Sequence, residues 1–422
     1  MKVCTQPVQP IPPNSMSERP DWIFGSDAAA VIAATRTRLA SHDPLTRILS
    51  DLRKELSPDQ ASHAFEMAHL QIDARQKFSC SEEMLFTRKG MEQATNETVA
   101  RYKAGLVAEG LPVADACCGI GGDSLELVAN HPTVAIELDG TMARIARHNL
   151  AARHERVTGR SPGETGGERS LCNFQVVQAD FDRFDFSGFG FVHVDPDRRA
   201  GKSRTTQPEF MTPSWNSIVD RLGNRFAAVK VAPATELDPF AEKIHRQWIG
   251  SGRECREQLV WFHSPDFPVG GKTATVVDRN GNGESIFGTS ASQPRTNSPC
   301  AAGDRLFEPH SAVFAAGLDG ELAVQLGLVR LSADSPYLIG QSSVTSTLMQ
   351  EFLVLHVDSF DRKRMVAALR RLNVGKIEWK QRGVEPSTFQ SVLKIRGPGS
   401  EPATVVLFRT DRRINFAICS RI

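Results

Sequence analysis

The chain has 422 residues, enough for two or three domains, and 40% of them are hydrophobic, which excludes global disorder. Its formal charge of +1 says nothing overall about an anionic partner, and no apolar run approaches the ~20 residues that cross a bilayer. The 8 cysteines form no CxxC pair and no His/Cys ladder at zinc spacing, which predicts reduced, mostly buried thiols in a cytoplasmic protein without a metal site.

Residues 1–20 carry Lys2 followed by Gln6, Pro7, Gln9, Pro10, Pro12, Pro13 and Asn14, with no apolar stretch of a secretory signal. They read as a disordered tail. Helical patterning runs from about Asp27 to Glu109, and 21–95 forms an N-terminal helical region. Asp43 before Pro44, and Ser57 before Pro58 with Gln60 beyond, are helix starts of the cap-then-proline kind. Ala61, Ala64, Phe65, Ala68 and Ile72 then recur at helical spacing and predict one buried face.

From Pro112 the pattern changes to short apolar runs at Val113–Cys118, Thr133–Leu138, Phe174–Gln178, Gly190–Val194, Ala227–Val231 and Gln258–Phe262. Helical patterns fall between them, as at Met142, Ile145, Ala146 and Leu150. Strands alternating with helices predict a doubly wound, mostly parallel α/β sheet over 96–288, because parallel neighbours need a crossover. Gly159–Ser170 is a polar, glycine-rich insertion, and 289–304 is a linker by composition. Beyond it, 305–422 reads as a small separate α+β unit. Its elements are a strand at Glu351–Val357, a helix at Asp361–Leu372, a strand at Lys376–Arg382, a helix at Glu385–Ile395, and strands at Ala403–Arg409 and Ile414–Ser420.

The strongest local signal is the run from Val113 to Ser124, a strand passing through Gly119, Gly121 and Gly122 into a helix. Glycines let the backbone turn sharply and approach a ligand. A dinucleotide fingerprint would carry a third glycine where Ser124 stands, and Asp115 and Asp123 would repel a pyrophosphate. These two acids favour a cationic cofactor, S-adenosyl-L-methionine, over NAD. Glu137 ends the next strand near the offset at which an acid reaches ribose hydroxyls. Asp139 reads as the cap of the following helix. Asp180 after the third strand can accept from an adenine amino group, and Phe181 can lie against the ring.

After the fourth strand comes Asp195-Pro196-Asp197-Arg198-Arg199, on the edge that faces the transferring methyl group. Asp195 is the candidate to orient or deprotonate an acceptor, Pro196 stiffens the loop, and Arg198 and Arg199 suit a phosphate or acidic group. Lys230 and Pro233, after the fifth strand, open onto the same edge as acceptor-side residues. His193 is read as packed within its strand.

With these residues in place, the chain resembles the bacterial class I S-adenosylmethionine-dependent methyltransferases that carry a C-terminal THUMP-like domain. The resemblance runs from about residue 60 onward, through Ala74–Phe78, Leu85–Thr95, Val99–Tyr102, Asp115–Asp123, Asp195–Arg199, Lys230–Pro233, Phe307–His310 and Lys380–Val384. The loop DACCGIGGDS also resembles the glycine motif of RNA-cap trimethylguanosine synthases. The family implies a Rossmann-like fold. It also implies Asp115, Cys117, Gly119, Gly121, Gly122, Asp123, Glu137, Asp180 and Phe181 at the cofactor, and Asp195 with Pro196 at the acceptor. The sequence departs from the pattern at Cys117-Cys118, where many such enzymes have one cysteine, and at Glu137, where Asp is commoner. Asp195–Arg199 also lacks the aromatic that stacks on a flipped base, so the resemblance does not extend to a base amine as acceptor.

The THUMP-like resemblance implies RNA as partner, ribosomal or transfer. From Asp361 to Ile422 there are 14 Lys and Arg against 5 Asp and Glu, a local excess of +9 that suits a phosphate backbone. Arg362, Lys363, Arg364, Arg370, Arg371, Lys380, Arg382, Lys394 and Arg396 are the candidate contacts, with Arg382 also an acceptor-side candidate. The alternatives are a protein or small-molecule acceptor, or an RNA-binding protein with a vestigial cofactor domain. Three acids at ligand spacing weigh against the last.

Overall fold

The computed structural model describes residues 21–158, 174–200, 203–204, 206–289, 299–332, 335–381, 384–385, 387, 390, 392–410 and 413–422. Only the backbone is described at 157–158, 199–200, 203–204, 238–239 and 241. The helices are α1 (Ser26–Ala40), α2 (Leu45–Glu55), α3 (Pro58–Asp73), α4 (Arg88–Gln93), α5 (Glu97–Ala104), α6 (Ser124–Leu127), α7 (Gly140–Thr158), α8 (Trp215–Leu222), α9 (Ser311–Ala316), α10 (Asp319–Gln325) and α11 (Arg362–Arg371). The chain divides into two compact units, one of Met1–Ala94, Gly119–Gly121 and Leu138–Glu164, the other of the remaining segments through Ile422.

The first unit is helical. Ser57 and Gln60 close a reciprocal cap on α3, with Pro58 in its first turn, as the sequence predicts. Its buried face is Ala61, Ala64, Met67, Ala68, Leu70 and Gln71, while Phe65 and Ile72 lie at its margin. Lys77 Nζ donates to the Met91, Glu92 and Ala94 carbonyls at 2.8, 2.9 and 3.1 Å, collecting the oxygens that the end of α4 leaves without helical partners. Asn149 on α7 donates to the Leu85 and Ile120 carbonyls at 3.1 and 2.9 Å and accepts from the Leu85 N–H at 2.7 Å.

The second unit holds two large sheets. The strands of the first are β1 (Val113–Ala116), β2 (Thr133–Glu137), β3 (Phe174–Gln178), β4 (Phe191–Val194), β7 (Ala227–Val231), β8 (His245–Ser251), β9 (Glu254–Phe262), β10 (Lys272–Val277) and β11 (Gly283–Gly288). A separate two-stranded ladder pairs β5 (Arg199–Ala200) with β6 (Ser203–Arg204). The nine-stranded order is β11-β10-β8-β9-β7-β4-β1-β2-β3. Strands β3, β2, β1, β4 and β7 are parallel neighbours, and β9 enters antiparallel between β7 and β8. The chain winds one way from β1 to β3 and the other way from β4, so the switch point lies between β1 and β4, and sheets of this kind place their ligands outside the strand C-termini at that point. Apolar side chains of one face, among them Ala114, Val192, Val194 and Val229, pack on Trp215, Ile218 and Leu222 of α8.

The sequence reading placed five of these strands within one or two residues, but missed β8, β10 and β11. Residues of β8 and β10 that look solvent-facing are buried and satisfied in a polar seam. Gln247 Nε2 donates to Thr275 Oγ1 at 2.9 Å and to Tyr102 Oη at 2.8 Å, its Oε1 accepts from Trp261 Nε1 at 3.0 Å, and His245 Nε2 meets Thr273 Oγ1 at 2.8 Å. Buried polar groups with partners erase the period-two signal.

The second sheet comprises β12 (Arg305–Pro309), β13 (Val329–Ser332), β14 (Ser335–Gly340), β15 (Met349–Ser359), β16 (Val374–Gln381), β17 (Glu401–Thr410) and β18 (Arg413–Arg421). Its seven-stranded order is β13-β14-β12-β15-β18-β17-β16, antiparallel except for β16 beside β17. The expected α11, β15, β16, β17 and β18 are present, whereas β12–β14, α9 and α10 were not foreseen. The unit is not separate in its packing. One apolar cluster joins Trp248, Ala274, Val276 and Ile286 of the first sheet to Phe307, Ala312, Val313, Leu318 and Leu322. Where β8 meets the start of α9, Gly250 leaves the room: a Cβ there would intrude on the His310 ring and stand 3.2 Å from Ala312 Cβ.

Candidate active site

The loop after β1 is built on left-handed backbone. Cys117, Gly119 and Gly121 have φ of 59°, 57° and 89°. Nothing lies within 4 Å of a Cβ built on Gly119, whereas at Gly121 it would meet Leu150 Cδ1 at 3.3 Å, so that glycine admits close packing of α7.

In the second unit, acids lie within or just past the C-terminal ends of four adjacent strands. Asp115 in β1 is 1% exposed. Its Oδ1 lies 2.8 Å from His193 Nδ1 and its Oδ2 accepts from Ser124 Oγ. Glu137, the last residue of β2, is half-buried. Asp180, just past β3, is half-buried and accepts the Asp182 N–H at 2.9 Å. Asp195, just past β4, donates its own N–H to the Ala116 carbonyl at 3.1 Å and accepts from Lys230 Nζ at 2.7 Å.

One thiol registers their combined field. Burial pushes the Cys117 pKa well above 9.0, and Glu137, Asp195, Asp115 and Asp180 add to it in that order, since each carboxylate opposes a thiolate. Cys117 is therefore no nucleophile at neutral pH.

Several residues sit otherwise than the sequence suggests. Asp115 and Asp123 do not present free charge to a ligand. Asp115 is engaged as above, and Asp123 pairs with Lys103 Nζ at 2.7 Å and accepts from Thr95 Oγ1 at 2.7 Å. Burial works against the charged Asp123, but Lys103, His193 and Lys230 outweigh it and hold its pKa below the usual carboxylate range. His193 is buried in β4 as expected, yet it also bonds Asp115. Phe181 is buried, with its ring centroid 5.3 Å from that of Phe186. Lys230 is buried in β7, held by Asp195 and Thr95, and the Pro233 carbonyl accepts from Trp248 Nε1 at 2.9 Å.

On the acceptor side, Pro196 is buried and Arg198 half-buried. Asp197 and Thr212 exchange backbone hydrogen bonds at 2.9 Å each, pinning both ends of the loop between them. The Arg199 backbone pairs with Arg204. The Arg199 side chain and Arg382 lie outside the described residues. Sequence reasoning missed Lys103 and Glu257 as partners, because a lysine on a short amphipathic helix reads as solvent-facing.

The arrangement fits S-adenosylmethionine better than a dinucleotide, since the half-buried Glu137 and Asp180 stand at adjacent strand ends where a pyrophosphate would need positive charge. Among the described residues, no group of three His, Cys, Asp or Glu could hold a metal ion, and no helix is long and apolar enough to cross a membrane.

No family model matches the chain. Two uncharacterized S-adenosylmethionine-dependent methyltransferases of Mycobacterium tuberculosis, from strains CDC 1551 / Oshkosh and ATCC 25618 / H37Rv, are each 29% identical over 334 residues, spanning 77% of this chain and 84% of the relative. The crystal structure of a candidate methyltransferase from Porphyromonas gingivalis W83 shares the fold, with a TM-score of 0.68 at 18% identity over 94% of this chain and 98% of that one. These relatives define a methyltransferase, and the solved structure shares its α/β fold. Its methyl donor is S-adenosyl-L-methionine.

Proposed function

We propose that this enzyme is a bacterial class I methyltransferase acting on RNA, with its second sheet serving as a THUMP-like RNA-facing domain over 305–422 beyond a 289–304 linker. When bound, S-adenosylmethionine supplies an electrophilic methyl group on a cationic sulfur. Glu137 takes the ribose hydroxyls, Asp180 the adenine amine, and Gly119, Gly121 and Gly122 give the backbone close approach. Asp115 and Asp123 act from beneath by holding the loop, Phe181 supports Asp180 from the core, and Cys117 stays a neutral thiol at the crevice. Asp195 and the buried Pro196 face the acceptor, with Arg198 and Arg199 for its phosphates and Lys230, Pro233 and Arg382 on the acceptor side. Transfer of this kind needs positioning and charge matching more than covalent catalysis.

The observation that carries the donor side is the set of acids at the C-terminal ends of β1, β2, β3 and β4, namely Asp115, Glu137, Asp180 and Asp195, around Cys117. The RNA reading is supported by the exposed Arg362, Lys363, Arg364, Arg370 and Arg371 of α11, with Lys394 and Arg396. Lys380 is not part of that face: it pairs with Glu308 at 2.5 Å and lies over the Phe352 ring.

Calorimetry with S-adenosylhomocysteine should show micromolar binding that Glu137→Ala weakens at least about tenfold, roughly 1.4 kcal/mol. Methyl transfer from tritiated S-adenosylmethionine should then label bulk RNA. Absence of cofactor binding overturns the assignment of the crevice, and label appearing only in protein or in metabolites overturns the RNA acceptor.

A further inference from the structure

Five buried or half-buried charges alternate in sign along one line through the second unit. Glu257 Oε1 of β9 pairs with Lys103 Nζ of α5 at 2.7 Å, and the same ammonium pairs with Asp123 Oδ1 at 2.7 Å. Asp123 Oδ2 accepts the Thr95 hydroxyl at 2.7 Å, and Thr95 Oγ1 accepts from Lys230 Nζ at 2.8 Å. Lys230 donates onward to Asp195 Oδ2 at 2.7 Å.

Three carboxylates and two ammoniums leave one net negative charge. Glu257, Lys103, Asp123 and Lys230 are buried, while the Asp195 side chain is 25% exposed. The line therefore opens at Asp195, whose Oδ1 has no hydrogen-bond partner among the described residues. Thr95 gives the line a direction. Its one proton is committed to Asp123, because its lone pair faces an ammonium. Burial works against a charged Lys230, but Asp195, Glu257 and Asp123 overcome it and hold the ammonium protonated. An isolated buried ion is costly, so each member depends on the next.

We infer that Thr95 and Lys230 are positioning residues for Asp195: they tie the acceptor-side carboxylate to Asp123 at the head of α6, so that Asp195 keeps one orientation with Oδ1 left for the acceptor. This rests on the reading of Asp195 given above. Lys230 acts through Asp195, and the geometry gives it no acceptor of its own. Thr95 joins the end of the loop that leads into α5 to the acid that precedes Ser124, so the cofactor loop and the acceptor carboxylate share one set of hydrogen bonds.

The test uses the full chain, tritiated S-adenosylmethionine and bulk RNA. Thr95→Val keeps the shape and removes the hydroxyl. It should lower kcat about tenfold, the weight of one buried hydrogen bond, with KM for S-adenosylmethionine within about twofold. Thr95→Ser should restore most of the rate. In an Asp195→Asn background, Thr95→Val should add almost nothing, since its effect runs through Asp195. Losses that multiply independently overturn the proposal. Full activity in Asp195→Asn overturns the underlying placement of Asp195, and the proposal with it. If RNA takes no label, the RNA reading fails while nitrogen-15 lysine NMR still decides this one. The ammonium signal that disappears in Lys230→Met must move in both Thr95→Val and Asp195→Asn. A signal unmoved by either variant overturns the link.

Discussion

Asp115 is almost fully shielded from water, and the imidazole that meets it carries a pH dependence with a definite sign. Burial disfavours a charged His193, but the Asp123 and Asp115 carboxylates outweigh it and the repulsion of Lys103, so its pKa lies above 6.5. A raised folded-state value means stability that is fully present below the unfolded pKa of 6.5 and is lost as pH rises through the folded one. Urea unfolding of the wild type should weaken across the neutral range toward alkaline pH, and His193→Gln should flatten that slope. The variant should also be less stable at pH 6, by about 1–3 kcal/mol for a buried charged hydrogen bond. Equal pH slopes in the two proteins would show that His193 stays neutral in the fold. At this scale the sequence was legible where chemistry sits at a strand end. Glu137 lies near the end of its apolar run and Asp180 and Asp195 just past theirs, so each sits at a strand end as the run implies. Lys103, Glu257 and the inward pairing of Asp123 were not legible, because partners far apart in the chain leave no local pattern.

Single elements show the same division. The run Phe174–Gln178 and the run Ala227–Val231 are strands with the bounds read from sequence, since their β-branched residues leave no other reading. Strands β8 and β10 hide behind Gln247, Thr273 and Thr275, whose polarity is spent inside the sheet. The glycine loop offers a controlled test of geometry. Gly121→Ala meets both a φ of 89° and the Leu150 side chain, so it should cost about 1–3 kcal/mol and weaken S-adenosylhomocysteine binding. Gly110→Ala, at φ 78° with nothing within 4 Å, carries the backbone cost alone and should cost less in thermal unfolding. Equal losses would remove the packing argument for Gly121.

Across the whole molecule, the linker composition before Asp304 suggested independence, and the cluster around Phe307 argues otherwise. Phe307 is fully buried in one cluster with Trp248, Val276, Leu318 and Leu322. Phe307→Ala should cost about 3–5 kcal/mol. Amide exchange should accelerate in β8 and β10 as well as in β12. Faster exchange confined to β12 would mean that the two sheets hold their cores apart.

Position 250 admits no side chain because the His310 ring fills that space. The two sites are therefore expected to change together. A descendant lineage that acquires alanine at the first would first need a smaller residue at the second, and paired substitution at these positions is the signature to seek among relatives whose chains diverge.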